Sequence, residues 1–180
     1  MNNIIVIGMR GAGKSNIARR LAVMTKRDVL AMDLLISYEA EGRSIPEILE
    51  AHDGDWRAFR DLEHAVAQKV ATMEGVIIDC GGGVVVDLDD GSQEIYSHRK
   101  MDLLKASGTV VWLKGDIERL AARVSGDASR PSLSATQDAQ AIMQRRLPFY
   151  QQAAHWTLDI EGRTRKSLAR EIQQRLVPRT

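Results

Sequence analysis

Short apolar runs alternate with helical patterns along the whole chain. The apolar runs indicate five strands, at residues 4–7, 29–32, 76–78, 109–113 and 156–159. Between the second and third runs, apolar residues recur at the three- and four-residue spacing of a helix packed on a sheet: Trp56, Phe59, Leu62, Val66, Val70 and Met73. This alternation predicts an α/β fold with a mainly parallel, five-stranded sheet flanked by helices. Ligands are then expected at the carboxyl ends of the strands.

Residues that start and break helices place the other helical segments. Ser44 or a neighbour begins a helix over about 45–49, where Pro46 is tolerated in the first turn. Further helices are predicted over about 94–106, 116–124, 138–154 (at least as far as Pro148) and 164–176. The stretch 87–100 is expected to be a surface loop leading into the first of these helices, with His98 facing solvent.

The first apolar run leads directly into a glycine-rich loop. Residues 8–15 read GMRGAGKS, which matches the pattern G-x-x-x-x-G-K-[ST], and a helical pattern follows. In this context the glycines let successive backbone N–H groups surround an anion, and the helix N-terminus adds partial positive charge. Lys14 can reach the β- and γ-phosphates, and the Ser15 hydroxyl can ligate Mg²⁺. The loop predicts a nucleoside triphosphate site, with contacts from Gly11, Ala12, Gly13, Lys14, Ser15 and Asn16.

Bulk composition narrows the setting in which this site works. The chain has 180 residues, which suits one domain over 1–180, and its formal net charge is +1. Neither charge nor motif suggests nucleic-acid binding, and no apolar run approaches the ~20 residues that span a bilayer. Cys80 is the single cysteine, which fits a reducing compartment. We therefore expect a cytosolic, monomeric protein that binds neither nucleic acid nor membrane.

Four further clusters bear on a second substrate. Asp33 follows the second strand, where it could face the γ-phosphate or cap a helix. Arg60 lies on the long helix, where it could bind a ligand or be solvated. Gly81, Gly82 and Gly83 follow the third strand and place backbone close to another group, or form a sharp turn. Arg145 and Arg146 precede Pro148 and could face an anion.

Taken together, these clusters resemble the shikimate kinase family over nearly the whole chain. The points of likeness keep the family's order and spacing: the loop at 8–15, DLLI at 33–36, SIPEI at 44–48, Phe59-Arg60 with Glu63, GGGVV at 81–85, RPSL at 130–133 and RLPFY at 146–150. The resemblance implies a three-layer P-loop kinase fold with substrate-binding helices at about 33–62 and a lid at about 125–137. It also implies ATP and Mg²⁺ as cofactors.

The resemblance assigns a role to each matching residue. Asp33 matches the aspartate that binds the substrate hydroxyls and takes the proton of the attacking one. Arg60 and Arg146 match the arginines that clamp the substrate carboxylate, and Gly81, Gly82 and Gly83 supply backbone contacts. Arg130 matches the lid arginine over the phosphates, and Arg123 matches an arginine near the adenine. Lys14, Asp33 and Arg130 are thus the expected catalytic residues.

The metal side departs from the family pattern. Family members usually carry two acidic residues on the second strand, separated by one residue, but this chain reads Ala31-Met32-Asp33. A compensating carboxylate is available at Asp79, which ends an apolar strand as in Walker B segments and could hold Mg²⁺ through its water shell. We therefore predict a metal site formed by Ser15 and Asp79. Alternatively, Asp79 caps a turn.

The leading hypothesis is an ATP-dependent kinase for a small carboxylated polyol, with shikimate as the acceptor. A second hypothesis keeps the fold and changes the acceptor to a related hydroxy acid or cyclitol. A third, suggested by Ala31, is a catalytically silent module that binds nucleotide or a shikimate-like ligand. A regulatory GTPase is disfavoured because the chain has no Asn-Lys-x-Asp segment.

Overall fold

A computed structural model describes residues 2–124 and 139–176 of the chain. Five strands form the main sheet, in the order β2 (Val29–Ala31), β3 (Ile77–Asp79), β1 (Asn3–Ile7), β6 (Gly108–Lys114) and β7 (Trp156–Asp159). Every neighbouring pair in this sheet is parallel. The predicted five-stranded parallel sheet is therefore confirmed.

Helices connect and flank these strands. They are α1 (Lys14–Thr25), α2 (Met32–Glu39), α3 (Ile45–Glu50), α4 (Trp56–Ala71), α5 (His98–Ser107), α6 (Ile117–Val124), α7 (Ala139–Ala153) and α8 (Arg165–Leu176). Helix α1 packs on α8, and α4 packs on α5. The central strand β1 is buried along its whole length, because helices cover a parallel sheet on both faces. None of the helices in the described ranges is both long and apolar enough to cross a membrane.

Most helix boundaries follow the predicted signals. Ser44 caps α3, where its backbone N–H donates to the Glu47 carboxylate at 2.7 Å and its hydroxyl accepts from the Glu47 N–H at 3.5 Å. Helix α7 continues through Pro148 to Ala153. The stripe of α4 was predicted one turn too far, because the helix ends at Ala71 and Met73 beyond it is 52% exposed.

The segment 87–100 differs from its prediction. A two-stranded antiparallel hairpin, β4 (Val86–Leu88) and β5 (Glu94–Tyr96), occupies the predicted loop, and α5 begins only at His98. The polar turn between these strands includes Ser92 with a left-handed φ of 62°, which reverses the chain. The His98 side chain is 70% exposed, as predicted. The predicted lid at 125–137 lies outside the described residues.

Candidate active site

The glycine-rich loop joins β1 to α1 as predicted. Gly11 and Gly13 have φ values of 81° and 87°, in the left-handed region that favours glycine. Gly13 directly precedes α1, and no side chain caps the first turn of this helix. The N–H groups of that turn are therefore available to an anion, in a position where the helix dipole favours negative charge. Lys14 donates from Nζ to the Met9 carbonyl at 3.2 Å, which keeps its ammonium folded over the loop.

Asp79 reaches the loop from the end of β3. Asp79 is 7% exposed, and its carboxylate accepts a hydrogen bond from the Ser15 hydroxyl. Burial raises the pKa of Asp79, the Ser15 hydrogen bond and the Lys14 charge lower it, and the nearby Asp33 charge raises it, with a net increase. Because the carboxylate bonds to Ser15, the alternative that it caps a turn is not supported.

The register of the sheet places Asp79 directly beside Ala31. Ala31 and Asp79 are partners in the parallel pairing of β2 with β3. Partners in neighbouring strands project to the same face of a sheet, so a carboxylate at Asp79 and one at position 31 would serve the same region. This pairing supports the hypothesis that Asp79 replaces the missing acidic residue.

The residues around the loop fit Mg²⁺ without forming a complete protein cage. Within the described residues, no group of three or more His, Cys, Asp or Glu side chains could hold a metal ion. Mg²⁺ commonly takes only one or two protein oxygens and completes its shell with water and substrate phosphates. The Ser15 hydroxyl and the Asp79 carboxylate supply hard oxygen donors of this kind.

The three glycines lie between Asp33 and Arg60. A Cβ on Gly81 would lie 2.5 Å from Asp33 Oδ1, and a Cβ on Gly83 would lie 2.6 Å from Arg60 Nη1. A Cβ on Gly82 would lie 3.2 Å from the backbone nitrogen of Arg10 in the phosphate loop. None of the three has a left-handed φ, so glycine is needed here for close approach rather than for an unusual turn.

The structure argues against the two structural alternatives that the sequence left open, a helix cap at Asp33 and a solvated side chain at Arg60. Asp33 lies in the first turn of α2, whose N-cap is Ala31, so it is not the capping residue. Arg60 is 2% exposed and is not a solvated helix arginine. It donates from Nη1 to Glu63 Oε2 at 2.8 Å and to the Gly83 carbonyl at 3.2 Å. Its buried Nε has no hydrogen-bond partner among the described residues.

Behind Arg60 lies an ionic network that sequence reasoning did not identify. Lys100 is fully buried and donates from Nζ to Glu63 Oε2 and to the Val86 carbonyl, both at 2.6 Å. Burial alone would raise the pKa of Glu63, but the Lys100 and Arg60 charges and hydrogen bonds lower it overall. Burial lowers the pKa of Lys100 despite the opposing effect of Glu63. In sequence, Lys100 follows His98-Arg99, which suggests a solvated basic run rather than a buried cation.

Helix α7 brings Arg146 to the same region. The Arg146 side chain is 12% exposed and pairs with Glu94 on β5, where Nε lies 3.1 Å from Oε1. One turn later, the Tyr150 hydroxyl donates to the Gly82 carbonyl at 2.6 Å, and the Tyr150 ring stacks on Trp112 with 5.8 Å between centroids. Tyr150 therefore fixes α7 against the three glycines. Glu94 was not identified from sequence because the hairpin that carries it was predicted as a loop.

Arginines also surround the nucleotide side. Arg123 donates from Nη1 to the Gly11 carbonyl at 3.3 Å, which brings this predicted residue to the phosphate loop. Arg165, which was not predicted, lies where a Cβ on Gly13 would be 2.6 Å from its Nε. Burial lowers the pKa of Arg165, and the Arg123 and Arg119 charges lower it further. Asn16 accepts a hydrogen bond from Arg20 Nε at 3.0 Å. Arg130 lies outside the described residues.

A phosphate loop at the start of α1, beside a strip of glycine backbone bounded by Asp33 and Arg60, defines a P-loop kinase for small molecules. A family model described as "Shikimate kinase" matches residues 10–177. The chain belongs to the shikimate kinase family. This membership confirms the resemblance and the small-molecule kinase class.

Individual relatives agree over nearly full length. The chain is 42% identical over 172 residues to the shikimate kinase of Leptospira biflexa, covering 96% of this chain and 94% of that protein. It is 42% identical over 159 residues to the shikimate kinase of Leptospira borgpetersenii, covering 88% and 89% of the two chains. A solved shikimate kinase from Acinetobacter baumannii in complex with shikimate is 29% identical, with a TM-score of 0.81 and coverage of 97% and 92%.

Proposed function

We propose that this chain transfers the γ-phosphate of ATP to a hydroxyl of shikimate, with Mg²⁺ as the metal. One observation carries the proposal: the three glycines touch the phosphate loop at Arg10, the carboxylate of Asp33 and the guanidinium of Arg60. An acceptor lying on this strip would have a hydroxyl near the donor phosphate and a cation at its other end. The Acinetobacter relative solved with shikimate supports the choice of acceptor.

On the donor side, we assign nucleotide binding to the loop backbone with Gly11, Ala12, Gly13 and Asn16, together with Lys14. The backbone N–H groups surround the phosphates, and the Lys14 ammonium neutralises charge on the β- and γ-oxygens. Ser15 and Asp79 would hold Mg²⁺, which supplies further neutralisation of the phosphate charge when bound. Arg123 is assigned to the adenine side. Arg130 is assigned to the phosphates, within a lid at 125–137.

On the acceptor side, Asp33 orients the hydroxyl and accepts its proton. The hydroxyl O–H bond breaks as the oxygen forms a bond to the γ-phosphorus, and the bond from that phosphorus to the β–γ bridging oxygen breaks to release ADP. The proton goes to the Asp33 carboxylate. The protein mainly positions the two substrates and offsets charge, which is where most of the acceleration of phosphoryl transfer arises.

The acceptor's carboxylate is assigned to Arg60 and Arg146. Both guanidinium groups lie near the glycine strip, since Arg60 donates to the Gly83 carbonyl and Tyr150, one turn after Arg146, donates to the Gly82 carbonyl. Two cations beside this strip favour an anionic ligand. Arginine matches a carboxylate through two parallel hydrogen bonds, so a carboxylated ring is selected over a neutral cyclitol. The second hypothesis, a related hydroxy acid, differs only in the ring that this pair accepts.

A coupled ADP-release assay tests the proposal. The full chain is given Mg·ATP with shikimate, and in parallel with quinate or gluconate, and the Lys14→Ala variant serves as the blank. We expect strong turnover with shikimate that disappears in the blank. Turnover only with quinate or gluconate would replace the acceptor and keep the mechanism. Saturable nucleotide binding without turnover for any acceptor would favour the silent module.

A further inference from the structure

The β4–β5 hairpin carries a carboxylate to one of the two acceptor arginines. Glu94 on β5 pairs with Arg146 on α7, although 52 residues separate them in the chain. We propose that Glu94 is a positioning residue whose carboxylate fixes the Arg146 guanidinium in the orientation that receives the acceptor's carboxylate. This inference rests on the proposed function, because it takes Arg146 as a substrate-binding residue.

The geometry leaves room for two carboxylates on one guanidinium. Glu94 binds the edge of the Arg146 guanidinium that is formed by Nε and Nη2. Nε lies 3.1 Å from Oε1 and 3.2 Å from Oε2, and Nη2 lies 2.5 Å from Oε1. A guanidinium has five N–H donors in one plane, so this contact leaves the outer edge with Nη1 for a second acceptor. Nη1 makes no hydrogen bond to any residue in the described ranges. A substrate carboxylate can therefore bind beside Glu94 without displacing it.

The charges around Glu94 favour an incoming anion. The Glu94 carboxylate also accepts from Arg145 Nε at 3.0 Å, so two cations share one anion, and the Glu94 side chain is only 5% exposed. Burial alone would raise its pKa, but the hydrogen bonds and charges of Arg146 and Arg145 hold that pKa below its usual value. Glu94 is thus ionised at neutral pH. Without it, the two guanidinium groups would repel each other and Arg146 would lose its fixed orientation.

The hairpin itself is fixed at both ends. At its base, Asp87 accepts from the Ser97 hydroxyl at 2.6 Å and from Arg99 Nε at 2.9 Å. Near its tip, the carbonyl of Asp89 accepts from the Arg57 guanidinium. A flexible surface loop could not hold a carboxylate in one place, whereas this anchored hairpin can.

The hairpin also connects the two helices that supply the clamp. Arg57 belongs to α4, which carries Arg60, and Glu94 contacts α7, which carries Arg146. Tyr96 on β5 packs against Phe149 on α7, with 6.3 Å between ring centroids. The hairpin therefore spans from one arginine-bearing helix to the other and sets where Arg146 stands relative to Arg60.

If Glu94 competed with the acceptor instead of positioning Arg146, its neutralisation would change acceptor binding in the opposite direction. If Glu94 occupied the place of the substrate carboxylate, its neutralisation would free Arg146 and strengthen acceptor binding. If Glu94 positions Arg146, neutralisation weakens acceptor binding and leaves nucleotide binding unchanged. Glu94→Gln distinguishes the two, since it keeps the size of the side chain and removes its charge.

The experiment measures the Kd of the full-length protein for shikimate by titration calorimetry. The variants are Glu94→Gln, Arg146→Ala and their double mutant, and Glu171→Gln is the matched control because Glu171 pairs with Arg163 elsewhere on the surface. We expect Glu94→Gln to weaken binding about tenfold, the loss of one charge-assisted hydrogen-bonding pair. The control stays within about twofold of wild type, as for other exposed ion pairs.

The double mutant separates positioning from a general structural role. Because Glu94 acts through Arg146, adding Glu94→Gln to Arg146→Ala should weaken binding no further. Unchanged or tighter binding by Glu94→Gln, or an equal loss in the Arg146→Ala background, overturns the inference. If Glu94→Gln lowers the melting temperature too far for titration, Glu94→Asp replaces it, and undiminished binding by that shorter carboxylate also overturns the inference.

Failure of the proposed function has a different signature. In that case wild type itself does not bind or phosphorylate shikimate, or Arg146→Ala binds it normally, and the inference falls with the clamp. When wild type turns over shikimate and Arg146→Ala weakens its binding, only the Glu94 variants decide the positioning role.

Discussion

The phosphate loop of the proposed donor side is one continuous segment, whereas the proposed acceptor side takes its side chains from four. The phosphate loop runs from β1 into α1 and acts mainly through backbone N–H groups and one lysine. The acceptor side takes Asp33 from α2, Arg60 from α4, Glu94 from the hairpin and Arg146 from α7. Local geometry therefore secures the donor site, while buried ion pairs between distant elements secure the acceptor site.

This difference predicts where each side is vulnerable. A backbone site depends on the conformation of a few glycines and tolerates change in the surrounding side chains. A site held by buried charges depends on every partner, because removing one leaves another desolvated and unpaired.

Lys100→Met should destabilise the protein through the buried network behind Arg60. It removes a fully buried cation and leaves Glu63 with Arg60 as its remaining charged partner. We expect the free energy of unfolding to fall by about 3–5 kcal/mol, the cost of breaking a buried ion pair. Urea denaturation measures it, with Lys105→Met as the control, since Lys105 donates from an exposed position to the Gln152 carbonyl. Equal stability of Lys100→Met and wild type would contradict the role given to the buried network.

Lys14→Ala should abolish turnover and leave the fold intact. Lys14 is the cation assigned to the β- and γ-phosphates, and removing such a group costs about 10²–10³-fold in kcat. Stability should change little, because the side chain's hydrogen bond to Met9 is local. Steady-state kinetics and a thermal melt measure the two effects, with Lys26→Ala at the end of α1 as the control. Substantial kcat in Lys14→Ala would exclude the loop as the donor site.

Gly83→Ala should damage the acceptor side alone. The new Cβ would lie 2.6 Å from Arg60 Nη1, so the guanidinium must move away from its place beside the glycines. Such overpacking costs about 1–3 kcal/mol, which corresponds to a KM for shikimate raised roughly tenfold or more while the KM for ATP stays constant. Gly91→Ala at the hairpin turn is the control. A matched rise in both KM values would show that the two sides are not separable.

The same contrast explains what could be predicted from sequence. The loop, the strand before it and the helix after it are neighbours in the chain, so their pattern sufficed to predict both fold and phosphate site. The period of α4 predicted its buried face through Phe59 and Val66. These signals are local, and the structure confirms the strand, the helix after the loop and the buried face of α4.

The acceptor network could be predicted only in part. Arg60, its partner Glu63 and Arg146 were identified through the family's spacing. Lys100 and Glu94 were not, because Lys100 lies 37 residues from Glu63 and Arg146 lies 52 from Glu94. Charged residues are usually solvated, and no local sequence pattern indicates which distant pairs become buried when the chain folds. The hairpin was missed because its strands are three residues each and alternate weakly.

Asp79 is the carboxylate proposed to hold Mg²⁺ together with Ser15. Replacing it by Asn should raise the Mg²⁺ concentration for half-maximal activity by about 10–100-fold, the usual cost of altering an outer carboxylate of a metal site. An unchanged Mg²⁺ requirement would mean that Asp79 does not replace the acidic residue absent at Ala31.

The pH dependence of stability gives this variant a second, independent result. Burial raises the pKa of Asp79 in the folded state, so the native protein binds more protons than the unfolded chain as the pH rises from the usual aspartate value of 3.8. Ionised Asp79 therefore lowers stability, and this loss is complete once the pH exceeds the raised pKa. Without nucleotide and metal, Asp79→Asn should be at least as stable as wild type at neutral pH and lose that advantage below about pH 4. Thermal melts across this range measure the difference, and a variant less stable at neutral pH would show that Asp79 supports the fold rather than the metal.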